Sequence, residues 1–461
     1  MSRVNMSVAL TVMVNSSYSA TYDAGNSSVK VCPARSSLND SAQASQEGEF
    51  PWDAHSQESI LAAFFYTYLA LLLPCGLLSD RYPRTCPWII GIGFFISSIC
   101  TLCTPLAANN GVTTITATRL VAGLAESGSY PAIYSLMARW SPLDERSRLL
   151  AIAFAGVPAG QIIAPPISGL ISQSQFLGGW PSTFYLFGTM GIVWFVLWTL
   201  TVYDTPMSHP RMSAAEREFI VSGLKVDQRG HKSVSYPWKS FATSMPVYAF
   251  CIGDFGIMWT IYMATTNLPL YLTEALRFSV SEAGIISAIP FIVLFVTVTV
   301  SGFLADALHA RGMSLTTTRK IMTTIGFVPS SLFLALCAIA GCNAPLAITS
   351  ITLAVGFNGF VYSGSALTPM EFAAPYAGML IAIANTLATV SGFVAPLLVG
   401  VFTENQADID GWQTVFWISF GVTIASWIIF MLFGSSEVQS WVTIDHYEEE
   451  DCHATSKATM E

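Results

Sequence analysis

A chain of 461 residues that is 52% hydrophobic and only 11% charged, with a mean hydropathy of +0.54, is too apolar for a soluble globular domain and belongs in a bilayer. The net charge of -9 does not define a binding surface, because much of the acidic excess sits in the run DHYEEED, Asp445 to Asp451, a solvated tail. Nine cysteines form no spaced framework: Cys32 lies in a polar segment, whereas Cys75, Cys100, Cys103, Cys251, Cys337 and Cys342 lie in apolar runs. Neither a disulfide scaffold nor a zinc site is indicated.

A bilayer core of about 30 Å needs roughly 20 apolar residues per helix. Eleven runs of that length are predicted, at about 59–79, 87–107, 113–138, 149–172, 182–203, 247–272, 283–305, 320–341, 344–367, 376–402 and 412–433. The opening SRVNMSVALTVMVN is shorter and reads as the second half of a first helix whose beginning precedes this sequence. It lacks the basic n-region and the cleavage pattern of a signal peptide. The expected architecture is therefore an all-α membrane protein of twelve spans. An N-terminal bundle covers 1–203 and includes the polar loop 15–57; a linker occupies 204–246; a C-terminal bundle covers 247–433, and an acidic tail covers 434–461.

Lys and Arg predict the orientation, since cytoplasmic loops hold the basic excess. One set of loops carries Arg81, Arg84, Arg139, Arg146, Arg148, Arg211, Arg217, Lys225, Arg229, Lys232, Lys239, Arg311, Arg319 and Lys320. The opposite set has only Lys30, Arg35 and Arg277. Both termini are expected in the cytosol and the loop 15–57 outside or in a lumen. That loop contains three glycosylation acceptor patterns, at Asn15, Asn26 and Asn39, which need the same placement.

Two phrases repeat at half-chain spacing: GLLSDRYPR, with Gly76, Asp80, Arg81 and Arg84, and GFLADALHAR, with Gly302, Asp306 and Arg311. Each ends the second helix of its bundle, as duplication of a six-helix unit requires. Glycine lets two helices approach closely, and an aspartate beside arginines at a helix end suits a gate that pairs in one state and releases in another.

These phrases resemble the loop signature of the major facilitator superfamily. RLVAGLAESGSYPA, RWSPLDERSRL, GWPSTFYLFGTMGIVWFVLW, DTPMSHPRMSAAEREFI, LTTTRKIM, LAVGFNGF and GWQTVF, together with RVNMSVALTVMVN, resemble its anion and cation symporter family over nearly the whole chain. That family includes sialin, the vesicular glutamate transporters and the type I sodium and phosphate cotransporters. The resemblance implies a major facilitator fold in which helices 1, 4, 7 and 10 line a central cavity. It also implies secondary active transport of organic or inorganic anions, coupled to protons or sodium, by alternating access.

Charge inside lipid persists only with a partner or water, so it marks the functional path. The span interiors carry Arg3 in span 1, Arg119 and Glu126 in span 4, and Asp254 in span 7, with no Asp, Glu, Lys or Arg expected inside the other spans. Arg3 and Arg119 are candidates for binding the anion, because a guanidinium fork matches carboxylate or phosphate. Glu126, two helical turns from Arg119, is the candidate coupling carboxylate and Asp254 a second. The alternative is a structural role, with Arg119 satisfied by Glu126 or a backbone carbonyl. Tyr134 in span 4 and Asn358, Tyr362, Ser363 and Ser365 in span 10 are polar cavity candidates, with helix packing as the alternative. All six histidines, His55, His209, His231, His309, His446 and His453, fall in loops, linker or tail, so no imidazole carries the proton.

The resemblance also has departures. Glutamate-carrying members have a histidine where this chain has Leu61 and an arginine where it has Ile257; several relatives have a histidine at Tyr134; and LPCG, Leu73 to Gly76, replaces the usual Pro-Gly-Gly. These argue against glutamate carriage. Phosphate, sialate, urate and dicarboxylates all suit an arginine pair, and the membrane is that of the cell surface or of a lysosome or vesicle. A transporter-like receptor or scaffold that moves no solute is the competing class. No enzymatic constellation, metal cluster, cofactor-binding loop or nucleic-acid patch is present in the sequence.

Overall fold

The computed structural model describes residues 4–14, 32–33, 48–141, 149, 153, 156–174, 176–223, 236–373, 376–403 and 408–442. Its membrane helices are α1 (Val4–Met13), α2 (Ala54–Arg81), α3 (Cys86–Asn109), α4 (Val112–Glu126), α5 (Ser129–Trp140), α6 (Gly156–Gln173), α7 (Trp180–Thr201), α8 (Met245–Leu270), α9 (Val280–Ala310), α10 (Leu315–Ala340), α11 (Ala344–Asn358), α12 (Ala377–Phe402) and α13 (Ile409–Phe433). Short helices Ala214–Gly223 and Trp238–Thr243 lie in the linker. Among the described residues, nine helical segments are long and apolar enough to cross a bilayer. The three remaining predicted spans take other forms: α1 is short, α6 is described only from Gly156, and the fourth span is two helices in series.

Polar caps set where these apolar helices begin. Asp53 accepts a hydrogen bond from the Ser56 amide at 3.1 Å at the head of α2, and Ser279 and Glu282 close a reciprocal capping box at the head of α9. Ser314 and Asn343 cap α10 and α11 by accepting from the Thr317 and Leu346 amides. Each cap satisfies amides that lipid cannot. The fourth span breaks at Ser127 and Gly128 because Pro131 has no N–H to return to Ser127 and its ring crowds that carbonyl. The tenth span unwinds into tight turns, Gly359–Ser363 and Ser365–Leu367, and resumes as a short helix, Pro369–Phe372.

Helices α1 to α7 pack into one bundle and α8 to α13 into a second, with α2 against α12, α6 against α9 and α1 against α8 across the junction. The junction is closest near the end opposite the linker. There a Cβ added at Gly284 in α9 would lie 2.5 Å from the Pro165 carbonyl oxygen of α6, and one at Gly169 would lie 2.7 Å from that of Val280. Only glycine permits backbones to approach so closely. Ser7 donates to the Thr265 carbonyl, Gln161 donates to the Thr265 hydroxyl, and Phe65 meets Tyr262 edge-on.

Two sequence expectations are corrected at this end. Cys32 and Cys342 form a disulfide between the loop after α1 and the turn before α11, so one cross-bundle staple exists where none was indicated. Sequence spacing concealed it, because its halves are 310 residues apart. The second span is also not free of internal charge: Glu58 is the fifth residue of α2 and is fully buried.

Candidate functional site

The chemistry of the first bundle centres on α4. Arg119 and Glu126 are both buried, at 8% and 3% exposure, seven residues and therefore about 10 Å apart along the helix. The Arg119 guanidinium lies 5.5 Å from the centroid of the Phe64 ring of α2. A ring face attracts a guanidinium through its π electrons. Glu126, at the last position of α4 before the break, accepts a hydrogen bond of 2.5 Å from the Ser97 hydroxyl of α3. The two groups thus each touch a different neighbouring helix, α2 through the Phe64 ring and α3 through the Ser97 hydroxyl. Arg3 lies outside the described residues, as do Asn15, Asn26 and Asn39.

In the second bundle Asp254 is the tenth residue of α8 and half-buried. Asn358, at the end of α11, is fully buried and donates its amide to the Ile257 carbonyl of α8 at 3.2 Å. Tyr362 is half-buried against the apolar core of this bundle. Ser363 shares a 2.7 Å hydrogen bond with Ser301 of α9, the residue before Gly302. The structure therefore joins the unwound part of the tenth span to the second repeated phrase. Ser365 is buried beside Gly253 of α8, where an added Cβ would lie 2.9 Å from the serine oxygen. Tyr134 lies in α5.

The repeated phrases occupy equivalent places at the linker end. Gly76 lies in α2 with Pro131 of α5 at 3.7 Å from the position of its absent Cβ, an ordinary van der Waals contact rather than an approach that only glycine allows. Gly302 differs, since nothing lies within 4 Å of the corresponding position and no helix crowds it in this state. Asp80 and Arg81 form the last turn of α2, and Arg84 is exposed in the following tight turn. Asp306 is exposed in the last turns of α9, and Arg311 is its exposed C-cap.

Sequence reasoning missed an ion pair beside this second phrase. Arg319 of α10 donates Nε and Nη2 to one oxygen of Glu371, at 2.8 and 2.5 Å, and Nη1 to the Ser363 carbonyl at 2.8 Å. Arg319, within LTTTRKIM, counted only as positive charge at a helix end; Glu371, the one acidic residue in SALTPMEF, was the available signal. Glu58 was missed at the other end. Its Oε2 accepts from Asn267 of α8 at 3.3 Å, across the bundle junction.

With this geometry in place, comparison with known proteins is direct. The family model of the Major Facilitator Superfamily matches residues 4–396 and 250–446. Sialin of Homo sapiens is 36% identical over 446 residues, spanning 96% of this chain and 88% of sialin. Vesicular glutamate transporter 2 of Homo sapiens is 32% identical over 454 residues, spanning 98% and 74%. Among solved structures, a bacterial homolog of the human lysosomal transporter Spinster, inward-facing and unoccupied, has a TM-score of 0.68 at 13% identity over 94% of both chains. A D-xylose–proton symporter has a TM-score of 0.65 at 14% identity, over 94% of this chain and 96% of its own; these two likenesses concern the fold. The chain belongs to the Major Facilitator Superfamily and, within it, to the anion and cation symporter family that contains sialin and the vesicular glutamate transporters.

Proposed function

We propose that this multi-pass membrane transporter carries a small carboxylate- or phosphate-bearing anion, together with a proton or sodium, by rocking of the two bundles about a site at α4. The observation that carries this reading is the buried pair on one helix: Arg119, held over Phe64, and Glu126, held by Ser97. The arginine fork recognises the anion, with Arg3 of the first span as a second cation. When an anion occupies the arginine, its charge favours protonation of Glu126, so solute and proton move together. Asp254 is a second coupling carboxylate on α8. Asn358, Tyr362, Ser363 and Tyr134 supply the polar lining, and Gly76, Asp80, Arg81, Arg84, Gly302, Asp306 and Arg311 form the gate at the linker end.

The linker end faces the cytosol and the disulfide end faces the outside or a lumen. Lys and Arg counts support this orientation, and so does the Cys32–Cys342 bond, since disulfides persist on the oxidising side of a membrane. The similarity to sialin and to vesicular glutamate transporter 2 supports an organic anion, while Leu61 and Ile257 stand where glutamate carriers place charge, which favours sialate, phosphate, urate or a dicarboxylate over glutamate.

Purified full-length protein in liposomes, tested with labelled sialate, phosphate, urate and succinate, with and without sodium and at two pH values, tests the reading. Saturable uptake of one of these under a proton or sodium gradient is expected. No flux of any of them under any gradient would reject transport in favour of a receptor or scaffold.

A further inference from the structure

Glu58 is fully buried, yet it belongs neither to the anion site nor to the linker-end gate. It lies on α2 between the two bundles. On one side Asn267 of α8 donates to Oε2 at 3.3 Å; on the other is Gly400 of α12, where a Cβ would meet the glutamate Cβ and Cγ at 3.2 Å. The glycine is what leaves room for the side chain, and the closed junction is what excludes water from it. Oε1 is buried with no hydrogen-bond partner. Asn267 is itself committed, since its Oδ1 accepts from the Thr266 hydroxyl.

Among the described residues, the charged and titratable groups around Glu58 leave it without a cation. On α2 itself, Asp53 and His55 are exposed, and His55 shares a hydrogen bond with Ser59. The described part of α1 and the whole of α12 have no titratable residue. On α8 the nearest in sequence to Asn267 is Tyr262, and beyond the helix come Tyr271, Glu274 and Arg277, the last two interacting with each other. On α4, Arg119 stands over Phe64, six residues along α2 from Glu58. No described Lys or Arg forms an ion pair with Glu58. An ionised carboxylate sealed between helices with one neutral donor is strongly disfavoured, whereas a neutral carboxylic acid fits the same space.

We propose that Glu58 is a proton-binding latch of the disulfide-end gate: the bundles close at this end only with a proton on Glu58, and they release it to the same side on opening. The inference rests on the alternating-access reading but not on which anion is carried. Glu58 then senses pH on the disulfide side without itself carrying a proton across. Acid on that side favours the closed junction, and alkali favours its opening. Because one proton distinguishes the two states, the closed-to-open ratio changes by up to about tenfold per pH unit where the open-state carboxyl is ionised and the closed-state one is not.

The test is a distance measurement that needs no substrate. Full-length protein carries one spin label in each bundle at the disulfide end, at Asn109→Cys, exposed at the end of α3, and at Asp410→Cys, exposed in the first turn of α13. The background replaces Cys103, exposed in α3, the half-buried Cys75 and Cys100, and Cys452 of the acidic tail by Ser. Double electron–electron resonance is recorded across roughly pH 5 to 8. The closed population should fall with rising pH in the parent protein, and Glu58→Gln, which keeps the shape but cannot ionise, should remain closed throughout. Glu58→Asp, retaining the acid, should keep the pH response. A parent profile flat with pH, or a Glu58→Gln profile that tracks the parent, overturns the latch. Should Glu58→Gln fail to fold, Asn267→Asp decides: a second carboxyl against Glu58 must open the junction at lower pH than in the parent, and an unchanged profile overturns the proposal. Absence of anion flux in liposomes would reject the transport reading and leave these distances as they are.

Discussion

Arg319 grips Glu371 through two nitrogens on a single carboxylate oxygen and spends its third on the Ser363 carbonyl, so one side chain ties α10 to both ends of the unwound stretch of the tenth span. Each partner is 14% exposed, so neither is well hydrated when the other is removed. Glu371→Gln and Arg319→Lys should therefore each lower stability by about 2–3 kcal/mol. Thermal unfolding in detergent measures this; two variants melting with the parent would show the pair to be dispensable.

The Cys32–Cys342 bond predicts a simple gel result. Cleavage within 224–235 of the linker, by an inserted protease site, should leave the two halves migrating together without reductant and apart with it. Cys342→Ser should make them separate in both cases. Halves that separate without reductant would show that the bond does not form in the membrane.

At the contact of α6 with α9, a side chain is predicted to act as a wedge. Gly284→Ala places a Cβ 2.5 Å from a carbonyl oxygen that belongs to backbone and cannot swing aside. Overpacking of this kind costs about 1–3 kcal/mol, which moves the balance toward separated bundles about 5- to 150-fold. Labelling of a cysteine placed at the junction should accelerate accordingly, while Gly378→Ala, where nothing lies within 4 Å, serves as the neutral control.

Within the anion site, Arg119→Lys keeps the charge and loses the fork. It should raise the KM for the transported anion about tenfold or more, with kcat less affected. Unchanged uptake would remove Arg119 from direct recognition. Glu126→Gln should flatten the dependence of uptake on a pH gradient, and a parent-like dependence would assign coupling elsewhere.

The spans, the duplication and the buried charges of α4 were legible because each leaves a local trace: a run of apolar length, a phrase repeated after one bundle, an arginine inside a hydrophobic stretch. Glu58 left none. It falls between the Asp53 cap and the apolar run of α2, where a count of lipid-compatible residues places it outside the span; only the packing of α8 and α12 buries it. Hydropathy reports how a residue meets lipid and is silent on how it meets another helix. Glu371 was hidden for a related reason, because the tenth span unwinds after Asn358 and resumes beyond the end of the apolar run. For the disulfide a signal did exist. Counting spans puts Cys32 and Cys342 in loops on the same side, although proximity within that side is a property of the folded chain alone.

The attachment points of that disulfide decide what it can restrain. Cys342 abuts the Asn343 cap of α11 and is fixed to the second bundle, and Cys32 is buried among the apolar residues of that same bundle, whereas Phe50, further along the chain, is held to Met13 at the tip of α1. The bond is thus a mooring point: it pins Cys32, a residue that precedes α2 in the chain, into the apolar cluster of the second bundle, so any swing of the bundles has to carry Cys32 along with α11.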